Sequence, residues 1–159
     1  MIQPSAHDII SAYSLHTQLI RRFTGGITHA ESVLQPPFEH NCMNWILGHI
    51  AANRSHVLES LALEHAWQKP VRALYHQDTP PITPEGPSIP LSELTAYIDE
   101  SKRMIENTLA DASDDWLEEN HSNYRGDNSR RGHIISFHWH ESFHLGQLEI
   151  LRAFILSTR

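Results

Sequence analysis

The chain predicts an all-α protein, a four-helix bundle with one long crossover between its second and third helices. Three observations predict it. Apolar residues recur at spacings of three and four in four separate segments. No alternation of β-branched residues and no Asn-Gly or Asp-Gly pair competes with them. Five of the nine prolines (Pro70, Pro80, Pro81, Pro84 and Pro87) fall in one connection, Gln68 to Ile89. The expected unit is one domain over residues 1–159, a length that buries roughly 70% of its unfolded surface without staples.

The first helix is expected from Ala6 to Gly25, with Ile9, Ile10, Tyr13, His16, Leu19, Ile20 and Phe23 at helical spacing and Gly25-Gly26 as its stop. The second begins after Pro36-Pro37, near Cys42, and runs to Glu64, with Trp45, His49, Ala52 or Asn53, and His56 inward. The proline-dense connection then blocks helix and reads as an extended strap, long enough to cross a bundle end and join parallel helices. The third helix runs from Pro90 to Ala110, proline suiting the first position, with Leu91, Leu94, Ile98, Ile105 and Leu109 buried. A short helix fits Asp114 to Glu119. After a polar turn, Tyr124 to Arg130, the fourth runs from Arg131 to Leu156, its stripe Phe137, His140, His144, Gln147, Leu151 and Phe154.

Composition excludes several classes. One cysteine, Cys42, permits no internal disulfide and no Cys-based zinc finger. The opening MIQPSAHDII lacks the basic and apolar regions of a signal peptide. No apolar run reaches the roughly 18 residues of a membrane span. The chain therefore reads as soluble and cytoplasmic. A net charge of −7 repels phosphate backbones, so no nucleic-acid partner is expected. Arg125, Arg130 and Arg131 form one small basic patch, which reads as a solvated loop.

His140-Glu-Ser-Phe-His144 carries the chemistry. Two histidines four apart on a helix stack on one face, where both imidazoles can grip one ion. A catalytic site takes three protein ligands and leaves one position open. The second helix offers His49 and His56, about two turns or 10 Å apart, so only one reaches the same ion. Gly48, beside His49, lets a neighbour approach closely. Against this stands chance: thirteen histidines make such a pair easy to find. A buried His is more often a satisfied core residue than a ligand. Trp45 and Trp139 read as core, Gly146 as a mark of tight packing, and Cys42 as a small packed hydrophobe. His140-Glu141-x-x-His144 also matches the zincin signature, with Glu141 as base. The longer form of that motif wants a glycine and a histidine where this chain has Gln147 and Ile150, and only 15 residues follow His144.

Asn44-Trp45-Ile-Leu-Gly48-His49-Ile50 and His140-x-x-x-His144-x-Gly146-Gln147-Leu148 together resemble the DinB family, damage-inducible four-helix bundles with a three-histidine metal site. The resemblance covers nearly the whole chain. It implies His49, His140 and His144 as ligands of a divalent metal such as zinc, nickel or iron, and a homodimer. Family members often carry a histidine and an arginine flanking the second helix-four ligand; here Phe143 and Leu145 stand there. Some relatives are thiol transferases using low-molecular-weight thiols.

The expected function is therefore a metal-dependent, thiol-transferase-like enzyme on a small-molecule substrate. The alternatives are a metal-dependent hydrolase and a non-catalytic metal-binding stress or interaction protein. A fourth ligand, His56 or His16, would favour the last. Gln147 and Asn53 are the polar groups placed to orient the ligand rings, and Tyr13 can line the pocket. No catalytic residue is assigned.

Overall fold

The computed structural model describes residues 3–159. Its elements run α1 (Ala6–Thr24), α2 (His29–Ser32), α3 (Met43–Ser60), α4 (Gln68–Tyr75), α5 (Leu91–Ala110), α6 (Asp114–Glu118), β1 (Asn120–Asn123), β2 (Gly126–Ser129) and α7 (Arg130–Ser157). The protein is mostly helical. Each of the four long helices packs against two of the others, in the cyclic order α1, α5, α3, α7. No helix among the described residues is long and apolar enough to cross a membrane.

Local chemistry sets the starts and stops. Ser5 caps α1 and forms a reciprocal box with Asp8, satisfying two backbone donors. Ser129 caps α7 by accepting from the Gly132 amide. α3 ends four residues before the expected Glu64, because Ala62 takes a positive φ of 58° and turns the chain out of the helix.

Two expectations fail in this frame. The strap is not wholly extended, since α4 occupies its first eight residues. Pro70 sits in the first turn of α4, where its missing N–H has no intrahelical carbonyl to meet. Val71 and Tyr75, four apart, are fully buried. α4 packs on α3. That cover explains why nearly all of α3 is buried, rather than a single inward stripe.

The second failure is the hairpin. β1 and β2 pair antiparallel, with Asn123 opposite Gly126 around a two-residue turn, Tyr124-Arg125. Gly126 takes a φ of 98°, which glycine adopts freely. The strands lack apolar alternation, so the sequence signal is missing. Packing on α7 replaces it: Tyr124 and Arg125 lie over Phe137, and Nε2 of His133 donates to the His121 carbonyl at 2.8 Å.

Candidate metal centre

α3 and α7 lie side by side, and each brings histidine to the seam. Nε2 of His140 is 3.2 Å from Nε2 of His49 and 3.0 Å from Nε2 of His144. One ligand atom from each of the three lies within 4.8 Å of the others. Two imidazole nitrogens bound to one tetrahedral ion stand about 3.3 Å apart, a few tenths of an ångström from the two separations that His140 makes.

The partners of the opposite ring nitrogens fix the tautomers. Nδ1 of His49 is 2.8 Å from the Tyr75 carbonyl. A carbonyl only accepts, so Nδ1 holds the proton and Nε2 presents a lone pair. Nδ1 of His144 donates in the same way to Oε1 of Gln147 at 2.6 Å. His140 can carry its proton on Nε2, but one N–H serves only one of its two neighbours. The cluster cannot satisfy itself, and a cation among the three nitrogens removes the conflict.

Burial drives His49 and His144 down to about 4 and lowers His140 as well. All three are therefore neutral at pH 7, the form that binds metal. The donor set fits a divalent ion that accepts imidazole, such as zinc, nickel, iron or copper.

α4 builds the support for His49. A Cβ on Gly48 would lie 2.2 Å from the Tyr75 ring, so glycine is what admits that ring. The Tyr75 hydroxyl donates to Asn44 Oδ1 and accepts from the Ile89 amide, both at 2.8 Å. Trp45 stacks on the His49 ring, centroids 4.8 Å apart. Gly48 thus admits a side chain of the connection, not a neighbouring long helix.

A cavity of about 30 Å³ opens on the cluster. Buried His49 and Asn53 and half-buried His140 form its inner side; His76, Gln77, Tyr124 and Arg125 form its exposed mouth. Asn53 donates to the carbonyl of His49 at 2.8 Å, so it touches the ligand's backbone rather than its ring. His56 lines the cavity, but its Nδ1 is taken by Glu59 at 2.8 Å and it stands outside the cluster. Tyr13 does not reach the cavity; its hydroxyl donates to the Ile134 carbonyl at 3.0 Å in the core. Cys42 is buried, and burial pushes its thiol up. Trp139, expected in the core, is 75% exposed.

Glu141, the residue after His140, finds its partners outside the histidine cluster. Arg54 grips it with two bonds, Nε to Oε2 at 3.0 Å and Nη2 to Oε1 at 2.7 Å. His16 adds Nδ1 at 3.2 Å to Oε1. Burial alone would raise the carboxyl, but Arg54 and His16 hold it down to about 2. The other N–H groups of Arg54 go to Thr17, Ser101 and the Ile98 carbonyl. A zincin base must be free beside the metal; this carboxylate is committed elsewhere. His16 is committed with it, so it is no fourth ligand.

Sequence reading missed the Tyr75 carbonyl, the Arg54 partner of Glu141, and the hairpin tip. A backbone carbonyl leaves no residue-type signal. Arg54, the only Lys or Arg in α3, was the one visible clue.

Fold and site together define a helical protein with three convergent histidines able to hold a metal ion. The chain belongs to the DinB superfamily, whose family model matches residues 12–148. Among solved structures it is similar to one described as the conserved protein of locus from Enterococcus faecalis. That likeness has a TM-score of 0.73 at 15% identity and covers 99% of each chain, so it speaks for the fold alone. No curated protein matches this chain.

Proposed function

We propose that this protein is a metal-dependent enzyme of the thiol-transferase type, acting on a small molecule in the cytoplasm. We read its four long helices as the DinB four-helix bundle, one domain over 1–159 with the segment between α3 and α5 as crossover. One observation carries the reading: three imidazole nitrogens converge, and no fourth ligand joins them among the described residues. A structural site is closed by four protein ligands, whereas a catalytic one keeps a position open.

His49, His140 and His144 would hold a divalent ion (zinc, nickel or iron), whose charge would lower the pKa of a low-molecular-weight thiol, or of a water, towards neutral pH. The chain's own groups do the rest. Gln147 and the Tyr75 carbonyl keep the Nδ1 protons of their partners in place, so both rings stay oriented. The 30 Å³ cavity admits the head of a small molecule and leaves its body at the hairpin. The same open position would serve a hydrolase. The commitment of Glu141 to Arg54 removes the carboxylate base that a His-Glu-x-x-His hydrolase uses, which favours the thiol reading.

The assay is thioether formation from glutathione, bacillithiol or mycothiol and 1-chloro-2,4-dinitrobenzene, with zinc-, nickel- and iron-loaded protein, beside hydrolysis of p-nitrophenyl acetate. Metal-dependent thioether formation that His140→Ala abolishes is expected. Ester hydrolysis alone, or no turnover with any metal, would overturn the reading.

A homodimer belongs to the same proposal. Trp139, Phe143 and Ile150 are 75%, 62% and 61% exposed along one face of α7. Gly146 lies in the middle of that face, and a Cβ there would meet nothing within 4 Å, so packing within the chain does not explain it. A twofold axis near Gly146 sets Phe143 of one copy against Ile150 of the other, a self-complementary arrangement. Sedimentation should show a dimer that Phe143→Glu dissociates; a monomeric wild type would contradict it.

A further inference from the structure

The cavity above the histidines carries a charge that its surroundings lack. The chain as a whole has a net charge of −7. Yet no carboxylate lines this cavity, and its mouth holds one permanent cation, Arg125. The three arginines of the basic patch separate sharply. Arg131 is buried against Asp114 and Glu118, and Arg130 reaches Glu119. Arg125 pairs with no carboxylate among the described residues.

Its position is held without an anion. The guanidinium lies 4.0 Å over the Phe137 ring. Nε donates to the Tyr124 hydroxyl at 3.1 Å and Nη1 to Ser136 Oγ at 3.0 Å. Nη2 has no partner among the described residues. A guanidinium fixed by stacking and two neutral acceptors, with a free N–H edge at a cavity mouth, is preorganised for a planar anion.

We propose that the molecule acted on at this centre carries a carboxylate, bound by Arg125 at the hairpin tip, and that Arg125 sets specificity for it. The inference rests on the metal-centre reading above for where the reactive end goes, but the anion site stands on Arg125 itself. One cation matches one unit of charge. A carboxylate satisfies the guanidinium edge in a two-bond fork, whereas a phosphate dianion would leave charge uncompensated. The Tyr124-Arg125 turn is thereby a recognition element, which gives this polar hairpin a role that its apolar content does not.

The test compares 3-mercaptopropionate with 3-mercapto-1-propanol and propyl phosphate, titrated into zinc-loaded full-length protein. The Arg125 Nε–Hε resonance reports contact directly. The acid should bind about tenfold more tightly than the alcohol, the scale of a charge-assisted hydrogen bond, and should move the Arg125 resonance. Arg125→Gln should erase that preference while leaving zinc content and affinity for the alcohol unchanged; Arg125→Lys should restore part of it. Equal affinities, a silent Arg125 resonance, or preference for the phosphate would overturn the proposal. Protein that takes up no zinc would sink the metal centre, and a propionate titration of the same resonance would then still decide the anion site. A shift sustains it and none overturns it.

Discussion

One turn of α7 feeds two buried polar clusters that end in opposite states. Glu141 meets Arg54 and His16, and its carboxylate is matched by donors on both oxygens. His140 and His144 meet His49, and their Nε2 atoms face one another with too few protons to share. Both clusters sit in the same seam and both are largely shielded from water. The difference lies in closure. A closed network spends its polar groups on each other and fixes the packing of α1, α3 and α7. An open one leaves lone pairs aimed at a common point, which is what a cation needs. Burial and perturbed protonation alone would have flagged Glu141 as readily as the histidines; the inventory of partners separates them.

The largest effect should come from opening the closed cluster. Arg54→Met leaves Glu141 buried without its counter-charge, and we expect a loss of about 3–5 kcal/mol in urea unfolding. The double variant Arg54→Met/Glu141→Leu should recover most of it. If the double variant is as unstable as the single, charge is not what holds this cluster.

Acid should act on the other cluster. His49 and His144 have folded values near 4, below the ordinary unfolded value of about 6.5. The unfolded chain therefore binds more protons between those limits, and stability falls as pH falls. In metal-free protein the loss should begin near pH 6.5 and grow to a few kcal/mol by pH 4. His49→Phe should flatten part of that slope. A metal-free protein equally stable at pH 6.5 and 4 would contradict the neutral, crowded cluster.

Gly48→Ala tests the support that α4 gives. A methyl group meets the Tyr75 ring, and overpacking of this kind costs about 1–3 kcal/mol. It should also weaken zinc binding, because the Tyr75 carbonyl orients His49. Unchanged zinc affinity would mean that Tyr75 matters for packing only. Gln147→Leu should have the smallest effect on folding and lower metal affinity by about 10–100-fold, read by competition with a chelator.

The same contrast explains what could be read from sequence. The four long helices and the His140/His144 pair follow from periodicity and spacing, because each depends on residue types at fixed intervals; spacing left the third ligand open between His49 and His56, and the resemblance to the DinB family implied His49. α4 escaped because proline was weighed by number rather than by position: Pro70 falls in a first turn and does no harm. The hairpin escaped because its strands are polar and owe their place to Phe137 and His133 on α7. The zincin-like Glu141 could not be resolved from its motif, since its partner Arg54 lies on another helix. Gln147 was legible, being three residues from the ring it holds; the Tyr75 carbonyl was not, being backbone.

The most direct test of the open cluster is metal content by mass spectrometry, on untagged protein purified without added metal, beside His144→Ala and Glu141→Gln. Near one ion per chain is expected in the wild type, none in His144→Ala, and retention in whatever fraction of Glu141→Gln is folded. No ion in the wild type, and no uptake on titration with zinc or nickel, would contradict it.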